Sequence, residues 1–175
     1  MTSKKYITLH KTEQGLVYAQ RAGKNSIAAL CYRINENNEK EFLIHYQILI
    51  GIKENQNWND QFPCPITGSL DHENEDTVDT AIREVAEEGG FIVNKNNLKI
   101  SSSYFSSTQL NEIVYCYIFD VTNLKENIPS TDGSFYEQLS YNKWLKEAEL
   151  IELLKNGPHL ASLSFCYNLT KEIKN

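Results

Sequence analysis

The chain is poor in what would mark it as a membrane, secreted or redox protein. No stretch approaches the roughly 20 consecutive apolar residues that a membrane helix requires. The N-terminal MTSKKYITLH has no apolar run behind its lysines, so no signal peptide is expected. Cys31, Cys64, Cys116 and Cys166 form no CxxC pair. That excludes a zinc-ribbon or dithiol motif and predicts four reduced, mostly buried thiols in a cytoplasmic protein. Positive charge is in deficit, 17 Lys and Arg against 23 Asp and Glu, giving a net charge of -6. Such a surface repels polyanions, so neither a nucleic acid polymer nor a membrane is an expected partner, and any small anionic ligand needs a local cation. There is no internal repeat or low-complexity linker, and 175 residues suit one domain, 1-175, with a real core.

What is present is an alternation of strand and helix patterns. SIAALCYRI and EFLIHYQILIGI are rich in β-branched and aromatic residues and flank the turn-like NENNEK, which predicts a hairpin. IKENQNWNDQFPCP, with Pro63 and Pro65, reads as a loop. Val78, Ala81, Ile82, Val85 and Ala86 form an apolar helical stripe, with Asp76 or Thr77 as cap and Gly89-Gly90 as a left-handed stop. FIV, NLKISSSYF and NEIVYCYIFDV follow as strands, the last apolar on both faces and therefore central. NKWL reads as a further strand, KEAELIELLKNG as a second helix, and the tail from His159 as a third. The fold class is α/β (α+β), a mixed sheet with helices packed on it.

The most informative stretch is GSLDHENEDTVDTAIREVAEEGGF, residues 68–91. On a helix Glu84 and Glu88 are i,i+4 neighbours and Glu87 is i+3 from Glu84, which places them on one side, opposite the apolar stripe. Like charges at that spacing destabilise an isolated helix by a few tenths of a kcal/mol per pair. Arg83 offsets only part of this; a divalent cation would offset more, and would also reconcile an acidic protein with an anionic substrate. The plainer reading is a solvated acidic face, which most charge runs are. An EF-hand is excluded, because Asp76 stands where its glycine is required and Ile82 where its glutamate is required.

From Glu75 onward this stretch resembles the Nudix box, G-x5-E-x7-R-E-U-x-E-E-x-G-U, at every fixed position: Glu75, seven residues, Arg83, Glu84, Val85, Ala86, Glu87, Glu88, Gly89, Gly90, Phe91. Gly68 departs, with six residues before Glu75 instead of five, an insertion in the loop DHENE. The resemblance implies an αβα sandwich and a pyrophosphohydrolase acting on nucleoside diphosphates linked to another moiety. It implies Mg²⁺ or Mn²⁺ held by Glu84, Glu87 and Glu88 with the carbonyl of Gly68. Arg83 would orient a box glutamate, and Glu75 would support the loop. A further carboxylate, as ligand or general base, would come from Glu137 in YEQLSYNKWL, the favoured candidate, or from Glu112 in SSTQLNEIVY. Many members dimerise, so a homodimer is an open expectation.

Features outside the box favour a substrate of the ADP-ribose or ADP-sugar type: the hairpin ending in HYQ, the ITGSLD segment and the SSTQLNE loop. Ser107 stands where ADP-ribose hydrolases often carry proline, and Tyr104 is slightly early for the tyrosine of diadenosine polyphosphate hydrolases. The NADH-hydrolase element SQPWPFPxS and the coenzyme A element LLTxR are absent. Diadenosine polyphosphates and nucleoside triphosphates remain alternative substrates, and a non-catalytic nucleotide sensor an alternative role, although no box glutamate is missing. Trp58, Tyr104 and Phe105 are candidates to stack on a base, or plain anchors. His10, His45, His72 and His159 match no ligand spacing.

Overall fold

One strand organises the sheet. Ser26–Ile34 carries IAALC, five consecutive residues with no exposed surface, so it is covered on both faces. The computed structural model describes residues 6–49, 60–70, 75–130 and 138–173. Their order is β1 (Ile7–Lys11), β2 (Val17–Arg21), β3 (Ser26–Ile34), β4 (Lys40–Ile48), β5 (Gln61–Cys64), β6 (Ile66–Ser69), α1 (Thr77–Glu87), β7 (Leu98–Phe105), β8 (Ile113–Asp120), β9 (Tyr141–Lys146), α2 (Glu147–Asn156) and α3 (Ala161–Leu169).

On one edge β3 pairs in parallel with β8, from Ser26↔Val114 to Tyr32↔Asp120. Its other edge is shared. β6 takes Ser26 to Ala29 and β4 takes Cys31 to Ile34, both antiparallel. Beyond that split β4 pairs with β5 on the same side, and along its opposite edge with β9. The split admits β6 between the two halves of the sheet and sets it beneath α1.

Alternation along β3 sorts the core into two layers. Ala28, Leu30 and Tyr32 pack with Phe42, Cys116, Ile118, Leu150, Leu163 and Tyr167, under α2 and α3. Ile27, Ala29 and Cys31 pack with Ile66, Ala81, Val85, Phe91 and Phe119, under α1. Helices on both faces of a mixed sheet make the expected αβα arrangement. Each fully buried large side chain adds about 1.5–3 kcal/mol. The four cysteines are free and buried, Cys116 and Cys166 in the first layer and Cys31 in the second. Among the described residues no helix is long and apolar enough to cross a membrane.

Several local expectations hold. NENNEK closes the β3–β4 hairpin, with Asn38 left-handed at φ 61° and Asn35 Oδ1 accepting from the amides of Asn37 and Glu39. The strand expected to be central is β8, which lies inside the sheet between β3 and β7. Others are corrected. QFPC is the edge strand β5, not loop. At a sheet edge proline costs no ladder bond that a neighbour needs, so Pro63 is tolerated. FIV is not a strand: Phe91 makes one isolated bridge to Glu126, and Ile92 is exposed. The hairpin β1–β2 has no counterpart in the sequence reading, because its apolar residues Ile7, Leu9 and Val17 stay exposed and give no core signal. It is tied to the body by Ala19 and the 109–111 segment, through Ala19 N–H to Gln109 O (2.7 Å) and Asn111 N–H to Ala19 O (2.9 Å).

Candidate active site

Helix α1 starts where Asp76 accepts from the Val78 amide (3.3 Å), and it ends at Gly90, left-handed at φ 75°. Its buried side carries Thr80, Ala81 and Val85. Glu84 and Glu88 do not lie opposite that side. Both are only 13% exposed, whereas Glu87 is 44% exposed. At 100° per residue Glu88 falls nearly in line with Ala81, so the acidic row borders the apolar stripe and faces the sheet.

Glu84 is seated on Gly68 of β6. A Cβ at position 68 would stand 2.5 Å from Glu84 Cγ and 2.6 Å from both Cδ and Oε1, so only glycine leaves room for this carboxylate. Arg83 lies among the acids. Its Nη1 is 3.0 Å from Glu84 Oε1 and 2.9 Å from Glu87 Oε2, and its Nε is 3.7 Å from Glu75 Oε1. Burial works against the guanidinium charge, but Glu84 and Glu87 outweigh it and hold the group firmly protonated.

At the other end of the row Glu88 meets β4. Its Oε2 is 3.8 Å from Nε2 of His45, a residue 3% exposed. Burial pushes the His45 pKa down, and the hydrogen bond with Asn142 offsets only part of that. His45 Nδ1 is 2.8 Å from Asn142 Oδ1, and Asn142 Nδ2 donates to the Glu88 carbonyl (2.6 Å). Neither residue is legible in the sequence as part of the site. The signal that could have found them is the inward β4–β9 pairing, which depends on tertiary structure.

Glu112 is buried on the other flank of Gly68. It accepts from Arg21 Nη1 (2.6 Å) and Ser26 Oγ (2.8 Å), while Arg21 Nη2 donates to Ser69 Oγ (2.9 Å). A cavity of about 330 Å³ opens there, lined by Gly68 and Glu112 with the hydroxyl residues Ser26, Ser69, Ser106, Ser162 and Tyr104. Tyr104 packs on Phe165 with its pKa raised to about 12 by burial, which makes it an anchor; Phe105 is exposed. Ser107 Oγ accepts from the amides of Gln109 and Leu110, closing the turn before β8. Glu137, Trp58, His72, Asp71 and Glu73 lie outside the described residues.

The donors gathered here are all oxygens, the ligand class preferred by Mg²⁺ and Mn²⁺, and Gly68 clears space against one of them. The residues therefore fit a hard divalent cation. Among the described residues no three acidic, histidine or cysteine side chains converge on a ready-made cage; the glutamates are gathered around Arg83.

A family profile described as NUDIX domain matches residues 24–164. No curated protein sequence matches the chain significantly. Among solved structures, similarity extends to a Nudix hydrolase from M. smegmatis, RenU (TM-score 0.56, 10% identity, covering 95% of this chain and 94% of that one). It extends to the NUDIX domain of Shewanella oneidensis NrtR complexed with ADP ribose (0.54, 13%, 86% and 88%). It also extends to a C. elegans Ap4A hydrolase binary complex (0.53, 17%, 85% and 96%). At these identities the structural likeness establishes the fold.

Proposed function

The chain belongs to the NUDIX family and is a pyrophosphohydrolase of that kind, and from that premise we propose that it cleaves the pyrophosphate bond of a nucleoside diphosphate carrying a sugar, ADP-ribose or an ADP-sugar. Glu84, Glu87 and Glu88, with the carbonyl of Gly68, hold Mg²⁺ or Mn²⁺ in this reading. The observation that carries it is the seating of Glu84 on Gly68: the one-residue insertion before Glu75 leaves the box glycine against the box glutamate.

When bound, such a cation polarises the diphosphate and makes water a nucleophile near neutral pH. The protein's own groups supply the rest. Arg83, paired with both Glu84 and Glu87, fixes two carboxylates in one place. The cavity beside Gly68 presents several hydroxyl groups and one guanidinium, Arg21, already neutralised by Glu112; that lining suits a polyhydroxylated, uncharged moiety better than a further phosphate. The further carboxylate is Glu137 or Glu112, and the second already stands at the cavity wall. The Shewanella domain carries ADP ribose on the same fold.

The test is hydrolysis with Mg²⁺ of ADP-ribose, ADP-sugars, diadenosine polyphosphates, NADH and nucleoside triphosphates. ADP-ribose or an ADP-sugar turning over with the highest kcat/KM is expected. Preference for diadenosine polyphosphates or triphosphates would overturn the substrate assignment, and nucleotide binding without turnover of any compound would point to a sensor.

A further inference from the structure

His45 and Asn142 are directly paired across β4 and β9, and on its other edge His45 pairs with Cys64, whose Sγ donates to the His45 carbonyl (3.3 Å). Three strands thus converge behind the C-terminal end of α1. Asn142 uses both ends of its amide. Since Nδ2 donates to the Glu88 carbonyl, Oδ1 is the atom that faces His45 Nδ1, and Nδ1 must carry the imidazole proton. Nε2 then faces Glu88 Oε2, 3.8 Å away. That separation is too long for a hydrogen bond, so the ring acts as a stop behind the carboxylate, not as a tether. The Glu88 carbonyl is one of the last-turn groups that an α-helix leaves without an internal partner. Asn142 therefore pins the backbone at the residue whose side chain the ring backs.

We propose that Asn142 and His45 are positioning residues for Glu88: Asn142 clamps the end of α1 to β9 and holds the His45 ring in the tautomer that keeps the Glu88 carboxylate turned to the cation. The proposal rests on the reading that Glu88 is a metal ligand. Neither residue touches the substrate or the cation in this arrangement; both act through Glu88. Partners of this outer kind, when removed, typically weaken metal affinity or activity by about 10- to 100-fold.

The test is a Mn²⁺ titration of the full chain by electron paramagnetic resonance, with the metal alone as probe, for wild type, Asn142→Ala, His45→Leu, His45→Asn and Glu88→Gln. Near-ultraviolet circular dichroism and melting are recorded beside it. Asn142→Ala is expected to weaken Mn²⁺ binding by roughly 10- to 100-fold with a native near-ultraviolet spectrum. His45→Asn, which keeps a donor amide where Nδ1 stood, is expected to bind more tightly than His45→Leu. In the wild type, nitrogen NMR is expected to show His45 as the Nδ1–H tautomer. That readout decides the matter even where a variant does not fold, since the Nε2–H tautomer would overturn the proposal. Asn142→Ala with lowered melting and unchanged Mn²⁺ affinity would also overturn it, reducing the pair to a structural clamp. If Glu88→Gln binds Mn²⁺ like wild type, the metal-ligand reading itself fails and this proposal with it. If Glu88→Gln loses binding and Asn142→Ala does not, only the positioning role fails.

Discussion

Replacing Gly68 by alanine separates the stability of this site from its function. The backbone at Gly68 is ordinary strand, paired with Ile27, so alanine meets no conformational barrier. The nearest obstacle among the described residues is Glu84, whose Cγ would lie 2.5 Å from the new methyl carbon. Non-bonded carbons settle at about 3.5–4.0 Å, so one partner must withdraw by about 1 Å. The methyl is fixed to a strand in the middle of the fold, whereas Glu84 has rotatable side-chain bonds, so the carboxylate moves. Overpacking of a rigid core costs about 1–3 kcal/mol, and a side chain that swings away keeps the cost at the low end. At about 2–4 °C per kcal/mol for a chain of this size, the melting temperature falls by only a few degrees. A misplacement of about 1 Å in a catalytic group, by contrast, costs about 100-fold in rate. The expectation is therefore a loss of about 100-fold in kcat/KM at saturating Mg²⁺, with small change in melting. Calorimetry and steady-state hydrolysis of the best substrate measure the two. Wild-type kcat/KM in Gly68→Ala would refute the claim that the Glu84 carboxylate works from its seat on Gly68.

Further outcomes follow from the same geometry. Glu88→Gln lowers turnover by at least about 100-fold, the scale of one major electrostatic contact in the transition state, and excess chelator abolishes wild-type activity; full activity in chelator would defeat the metal argument. Of Glu112→Gln and Glu137→Gln, the variant that removes the base flattens the alkaline-rising limb of the pH–rate profile, and the other changes KM or stability alone; two unchanged profiles would exclude both. For Asp120, burial raises the pKa but the Thr122 hydroxyl and amide, with Lys99, more than offset it, so the net shift is downward. A depressed carboxyl contributes stability above the ordinary Asp value of about 3.9 and loses it as pH falls through the folded pKa. Asp120→Asn is thus expected to cost about 2 kcal/mol at neutral pH and to flatten the acid limb of a denaturant-stability profile; an unchanged acid limb would contradict the assignment. The four buried thiols should react with a thiol reagent only as fast as the chain unfolds, and prompt labelling of native protein would refute their burial.

The residues spoke most clearly where chemistry is local in the chain. The box from Glu75 to Phe91 is a single helix and its stop, so spacing alone placed Glu84, Glu87 and Glu88 on one row. The β3–β4 hairpin was legible because its turn chemistry sits between two apolar runs. The buried strand β8 was legible because apolar residues occupy both its faces. Legibility failed where an element lacks its own core signal. The β1–β2 hairpin exposes its apolar side chains, and β5 carries a proline that only an edge position tolerates.

The direction in which the acidic row faces follows from the helix's own 100° step, which sets Glu88 nearly in line with buried Ala81 and not opposite the apolar stripe. The sequence by itself determined the family, the helix and the identity of its acids, because each depends on residues within one short stretch, Glu75 to Phe91. Tertiary structure alone decided that β6 enters the sheet where β4 leaves β3. That split brings Gly68 under Glu84. It also alone decided that β4 and β9 bring His45 and Asn142 behind Glu88, across 97 positions of chain. The reason is physical: a carboxylate's working position is set by what packs against it, and beside the local Arg83 the groups that back Glu84 and Glu88 come from strands outside the helix.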